Sequence, residues 1–240
     1  MNTNETIGQF FLNRLKRSVV AAIGLLTFAV GVYFQMQANL GMQPWQAMRL
    51  GLANQLSVTF GTVSICMSLV LIVIDLFLKQ RIGLGTFLDA FLVGIGTDIC
   101  IFLDFLPVQT NLGLQLIWLF AGMVVCCVGQ WFYMTAALSC GPIDSFLLGI
   151  GSLFPKVSIG KVNLGILMVV LVICLVLKSP LGLGTVITVF GTGFVMDAVF
   201  KLVKFNPREV VHEGLTDTAV IFMNALHTKE KTVRNKQMNL

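Results

Sequence analysis

The chain has 240 residues, of which 56% are hydrophobic and only 11% charged, with a net charge of +5. Soluble domains carry roughly 25% charged residues, so a water-facing globular surface is excluded. The basic residues flank long apolar runs instead of forming a patch, which argues against nucleic acid as the reason for the positive charge.

Residues 1–17 form a short N-terminal segment containing Arg14, Lys16 and Arg17. The first apolar run, 18–37, is too long for a cleaved signal peptide, and no small-residue cleavage site follows it. Further runs occupy 59–78, 86–106, 113–136, 159–178 and 183–203. Each is close to the ~20 residues that cross a ~30 Å hydrocarbon core. Residues 204–240 form a polar tail, within which 216–226 reads either as an amphipathic helix for a membrane surface or partner groove, or as a solvated end. Of the 16 basic residues, all but Arg49 and Lys178 fall on one side of this arrangement. By the positive-inside rule that side is cytoplasmic, which places both termini in the cytoplasm of a cell-membrane protein.

The two halves repeat one another. Gly83-Leu84-Gly85-Thr86 recurs as Gly182-Leu183-Gly184-Thr185, an offset of 99 that also carries Gly94 onto Gly193 and Asp98 onto Asp197. An offset of 98 carries Pro44 onto Pro142, Gln46 onto Asp144 and Gly51 onto Gly149. The first unit is 18–106 and the second 107–203, each with three spans. Three crossings return the chain on the opposite face, so the second unit enters inverted. The expected fold is an all-α polytopic membrane protein with six transmembrane helices in two inverted three-span repeats, as in many secondary transporters. Each unit also contains a short segment started by proline, 44–56 or 142–154. About a dozen residues cannot cross a bilayer, so these are half-helices, either re-entrant or lying at the interface.

The membrane part has six aspartates and no histidine. That inventory excludes a histidine-ligated metal site there, and no cofactor is expected. Asp75 and Asp104 are placed near span ends, within reach of water, and Asp89 in the first turn of its span, where the helix dipole favours a carboxylate. Asp98 and Asp197 each lie 12 residues beyond the threonine of the repeated turn. That is about 18 Å into a ~30 Å core. A carboxylate there costs roughly 2.5–3.5 kcal/mol, so each must face a cavity or be pinned by hydrogen bonds. Both uses stay open: substrate-binding acids, or braces between helices.

Pro44 and Pro142 mark the second candidate site. Matching interruptions in two halves point to a transporter's binding site, where free N–H groups at a half-helix start favour an anionic group. Trp45, Gln46 and Arg49 surround the first start, and Asp144 lies in the first turn of the second. Trp45 also suits an interface anchor, and Asp144 a helix cap. The glycines Gly94, Gly96, Gly122, Gly191 and Gly193 are expected to let helices approach closely, and the six cysteines to pack as small apolar groups.

The segment Ala38-Asn39-Leu40-Gly41 running on to Pro44-Trp45, the Gly51-Leu52 pair, the repeated turn at 83–86 and the Gly94 to Asp98 spacing resemble the YczE/YitT-type family of bacterial integral membrane proteins, over about residues 20–200. Relatives often have Asp directly after Pro-Trp, where this chain has Gln46. The resemblance implies the fold and leaves the activity open. No nucleophile–base pair, metal-ligand set or phosphate loop is visible, so no enzyme is expected. The expectation is a small-molecule transporter or permease that meets the lipid bilayer and an anionic or other small solute. The alternative is an accessory protein acting through a homo-oligomer or a membrane partner.

Overall fold

A computed structural model describes residues 7–80 and 82–205, with side chains described from Leu12 onward. The described residues form eight helices. They are α1 (Ile7–Ala38), α2 (Pro44–Leu56), α3 (Phe60–Phe77), α4 (Leu84–Leu103), α5 (Leu112–Ala136), α6 (Pro142–Leu153), α7 (Ile159–Val176) and α8 (Leu183–Leu202). All except α2 and α6 are long and apolar enough to cross a membrane. The expected spans and half-helices therefore match to within a few residues. The main difference is α1, which begins before its apolar run. The amphipathic tail segment at 216–226 lies outside the described residues.

The centre of the bundle is the antiparallel pair α1 and α5, which share the most extensive helix contact. Two glycine pairs make that approach possible. A Cβ on Gly24 would stand 2.7 Å from the Gly129 carbonyl oxygen, and one on Gly129 2.6 Å from that of Gly24. Gly31 and Gly122 meet in the same reciprocal way, each 2.8 Å from the other's carbonyl oxygen. Backbones this close gain van der Waals contact that larger side chains would prevent. At the end of α5, Arg17 donates from Nε and Nη2 to the carbonyls of Ala136 and Ala137, both at 2.7 Å. Those carbonyls lack helix partners, and a cation complements the negative end of the dipole. The C-terminal part of α8 packs beside the same end of α5 through Phe200, Met134 and Phe205. Both ends of the described chain thus lie at one end of the bundle.

The loops of each half are held by the other half. Thr86 donates its N–H to Ser139 Oγ and its hydroxyl to the Cys140 carbonyl, both at 2.8 Å. At the opposite end, the Gly184 N–H donates to the Leu40 carbonyl at 2.7 Å. Each repeated turn closes on itself alike, with the Gly83 or Gly182 N–H donating to the threonine hydroxyl three residues on at 3.3 Å. The half-helices follow the same pattern. α2 packs against α7 and α6 against α3. Most of α2 is buried, including Gln46, Ala47, Met48 and Arg49, so it lies inside the bundle rather than flat at its surface.

The halves differ in how their helices pack. α3 packs along α4, but α7 and α8 barely touch. A Cβ on Gly94 would stand 2.9 Å from the Gly61 carbonyl oxygen, whereas one on Gly160 or on Gly193 would meet nothing within 4 Å. The close helix contact expected at Gly94, Gly96 and Gly122 is present. At Gly193 it is absent, because α7 stands away from α8. Cys66 is likewise exposed rather than packed.

Candidate functional site

The starts of α2 and α6 open onto one cavity of about 210 Å³. Its wall includes Gln43, Trp45, Gln46 and Arg49 from the α2 side, and Pro142, Ile143 and Asp144 from α6. Asp89 and Val93 of α4, Gln130 of α5 and Thr192 of α8 complete its polar and apolar faces. Proline begins both half-helices and supplies no N–H. The first helical bonds are donated by Ala47 and Ser145. The N–H groups of the two residues after each proline therefore have no helical acceptor, and neither start has a side-chain cap. The Gln43 side chain instead donates to Thr192 Oγ1 at 3.2 Å, tying α2 to α8.

Arg49 lies one helical turn beyond Trp45, so both side chains reach the same face of α2. It is only 5% exposed. Its Nη1 donates to Gln46 Oε1 at 3.1 Å, and its Nε has no partner. Asp89 of α4 and Asp144 of α6 line the same cavity. Arg49 and Asp89 are close enough to attract, and Asp89 and Asp144 close enough to repel, but no ion pair joins Arg49 to either among the described residues. Both carboxylates converge on Gly141, where a Cβ would collide with Asp89 Oδ2 and stand 3.9 Å from Asp144 Oδ2. Asp144 is exposed to the cavity, whose wall also includes Gln130. Among the described residues no cluster of three His, Cys, Asp or Glu side chains is arranged to hold a metal ion.

Of the residues singled out from sequence, Trp45, Gln46, Arg49, Pro142 and Asp144 line this cavity. Pro44 is buried beside it, its carbonyl accepting from Cys174 Sγ at 3.4 Å. Asp98 and Asp197 are elsewhere. Asp98 Oδ1 accepts from the Gly61 N–H at 2.7 Å and braces α3 against α4. Asp197 lies in a separate open groove with Met134, Phe190, Gly193 and Phe194. Two other aspartates also differ from expectation. Asp89 is the sixth residue of α4, past its first turn, because the helix begins at Leu84. Asp75 is fully buried near the end of α3, with neither carboxylate oxygen partnered. Asp104 is exposed as expected, accepting from the Tyr33 hydroxyl at 3.5 Å.

Asp89 and Gln130 are among the cavity residues that sequence reasoning passed over. A signal for them exists, since the repeat places Thr188 opposite Asp89 and Val32 opposite Gln130. Both are breaks in the internal symmetry, as Gln46 against Asp144 is.

Comparisons with known proteins bear on the whole membrane part. The chain is 29% identical over 185 residues to YyaS of Bacillus subtilis, an uncharacterized protein, covering 76% of this chain and 91% of that one. It is 28% identical over 195 residues to an uncharacterized protein of Haemophilus influenzae, covering 78% and 86%. It is 27% identical over 175 residues to YczE, an uncharacterized membrane protein of Bacillus subtilis, covering 72% and 80%. No solved structure matches. The likeness to YczE expected from the proline and glycine motifs is thus present over most of both chains. Residues 15–201, which hold all eight helices but the first residues of α1 and the last of α8, match the model of the family of unknown function DUF6198, and the chain belongs to that family.

Proposed function

We propose that this membrane protein is a secondary transporter or permease that binds a small solute between the starts of α2 and α6 and moves it by alternating access. No catalytic step is assigned to any residue. The observation that carries the reading is the convergence of two uncapped half-helix starts, a buried arginine and two carboxylates on one cavity. Discontinuous helices that point at a shared site are how inverted-repeat transporters hold their substrates. The reciprocal loop contacts and glycine pairs support a two-fold relation between the halves. With an odd number of spans per unit, that relation is an inverted repeat.

The unequal halves supply the motion. In the first unit Gly61, Gly94 and Asp98 form a closed clasp between α3 and α4. The matching Gly160, Gly193 and Asp197 are present, but their clasp between α7 and α8 is open. Inverted repeats alternate by exchanging such conformations. In the other state α7 closes on α8, with Asp197 accepting from the Gly160 N–H.

Purified protein in liposomes is expected to move a small solute, and Arg49→Gln or Asp144→Asn to reduce that flux at least tenfold. Flux unchanged in both variants would refute the site. A second reading, a non-transporting component, is favoured by the open groove at Asp197, which a partner's helix would fill. Gly193→Leu separates the two. It blocks closure and stops flux in the first reading. In the second it removes a co-purifying membrane partner.

A further inference from the structure

The charges of the cavity are separated by sign, and this identifies the class of ligand. On the α2 side stand the Arg49 guanidinium and an uncapped helix start, which carries roughly half a positive charge. On the other side stand Asp89 and Asp144, offset in part by the similar partial charge at the start of α6. One arginine and two half-charges nearly balance two carboxylates, so the cavity as a whole is close to neutral but strongly dipolar. A simple anion would face two carboxylates, and a simple cation would face Arg49. The guanidinium forms no ion pair with either carboxylate among the described residues. Arg49 is thus a cation in the cavity wall with no countercharge at bonding distance, held only by the Gln46 amide.

We infer that the cavity binds a zwitterion of α-amino-acid size, with its carboxylate toward Arg49 and the start of α2 and its ammonium between Asp89 and Asp144. An ammonium there relieves the repulsion of the two carboxylates, and a carboxylate at Arg49 satisfies an arginine suited to planar anions. The remaining wall, including Leu25, Phe28, Val93 and Met196, is apolar and takes the rest of the ligand. About 210 Å³ holds on the order of seven waters at ~30 Å³ each, the scale of a ligand with a similar number of heavy atoms. The inference rests on reading this cavity as the solute site. It goes further in naming what the solute carries.

The test is binding, read separately from flux. Purified full-length protein in nanodiscs is titrated with a panel of neutral amino acids, including leucine. The same titration is run with 3-methylbutylamine, which is leucine without its carboxylate, and with 4-methylpentanoate, which is leucine without its ammonium. A member of the amino-acid panel is expected to bind and raise the melting temperature, and for leucine each truncated analogue to bind at least about tenfold more weakly. Arg49→Gln should reduce the preference for leucine over the amine, and Asp144→Asn the preference for leucine over the acid, in protein that melts as a folded species. Arg49→Lys, which keeps the charge, should retain part of the discrimination. Equal binding of leucine and either analogue overturns the inference, as does failure of the whole panel to bind. Zwitterion binding without flux in liposomes would keep the ligand class and refute transport. Flux of another solute without zwitterion binding would do the reverse.

Discussion

Asp98 and Asp197 occupy matching places in the two halves and have different surroundings. Asp98 Oδ1 holds the Gly61 N–H at 2.7 Å, while Asp197 stands in an open groove. Removing the first carboxylate leaves a buried N–H unpaired, a loss of about 1–3 kcal/mol. Asp98→Ala is therefore expected to destabilise the protein by about that amount in detergent unfolding. Asp197→Ala breaks no such bond and should not destabilise the protein. Equal effects would mean the halves are equally closed in solution. Sequence position placed both acids deep in the membrane but could not separate them, because a carboxylate's role depends on the donor packed against it. Asp89 shows the converse. Its position in α4 looked like an ordinary helix-dipole placement, and only the packing of α4 beside α6 brings it to Asp144.

At the scale of elements, the glycines sort by what faces them. At Gly24 and Gly129 an added Cβ would meet backbone at 2.6–2.7 Å, so nothing flexible can yield. Gly24→Leu or Gly129→Leu should force α1 from α5 at a cost of at least about 1–3 kcal/mol, seen as a lower melting temperature or loss of folded protein. At Gly160 and Gly193 the space is open. Gly160→Leu should leave the melting temperature within about 2 °C, consistent with a surface change. Spin labels on α7 and α8 should then lose any short-distance population seen in the parent protein. No short-distance population in the parent would refute the closing motion. The six spans and both half-helices were legible in the sequence, since apolar run length and a leading proline act locally. The differing use of equivalent glycines was not, since it depends on which helix lies opposite.

For the whole molecule, the charge bias predicts orientation. It expects Lys79, Lys156 and Lys161 on the cytoplasmic side and Lys178 on the other. In a cysteine-free background, single cysteines at positions 108 and 180 should label with an impermeant maleimide in intact cells. Those at 80 and 156 should label only after permeabilisation. The reverse pattern would invert the topology. The exposed apolar faces of α7 and α8, among them Val172, Leu175, Phe190 and Phe194, suit contact with lipid, which carries no penalty for such side chains.

The sequence by itself determined that the chain is an all-helical membrane protein and where its helices run, and it carries matching motifs in its two halves. Those properties follow from hydropathy, proline placement and internal similarity, all of which are written along one dimension. It also named most of the residues at the half-helix starts. Only the tertiary structure decided that both starts share one cavity, that Asp89 joins them, and that Asp98 and Asp197 do not. It alone separated a closed first half from an open second half. The physical reason is that charge pairing and close packing act between residues up to about 150 positions apart, as Gln43 and Thr192 are. Periodicity along the chain carries no record of which faces meet.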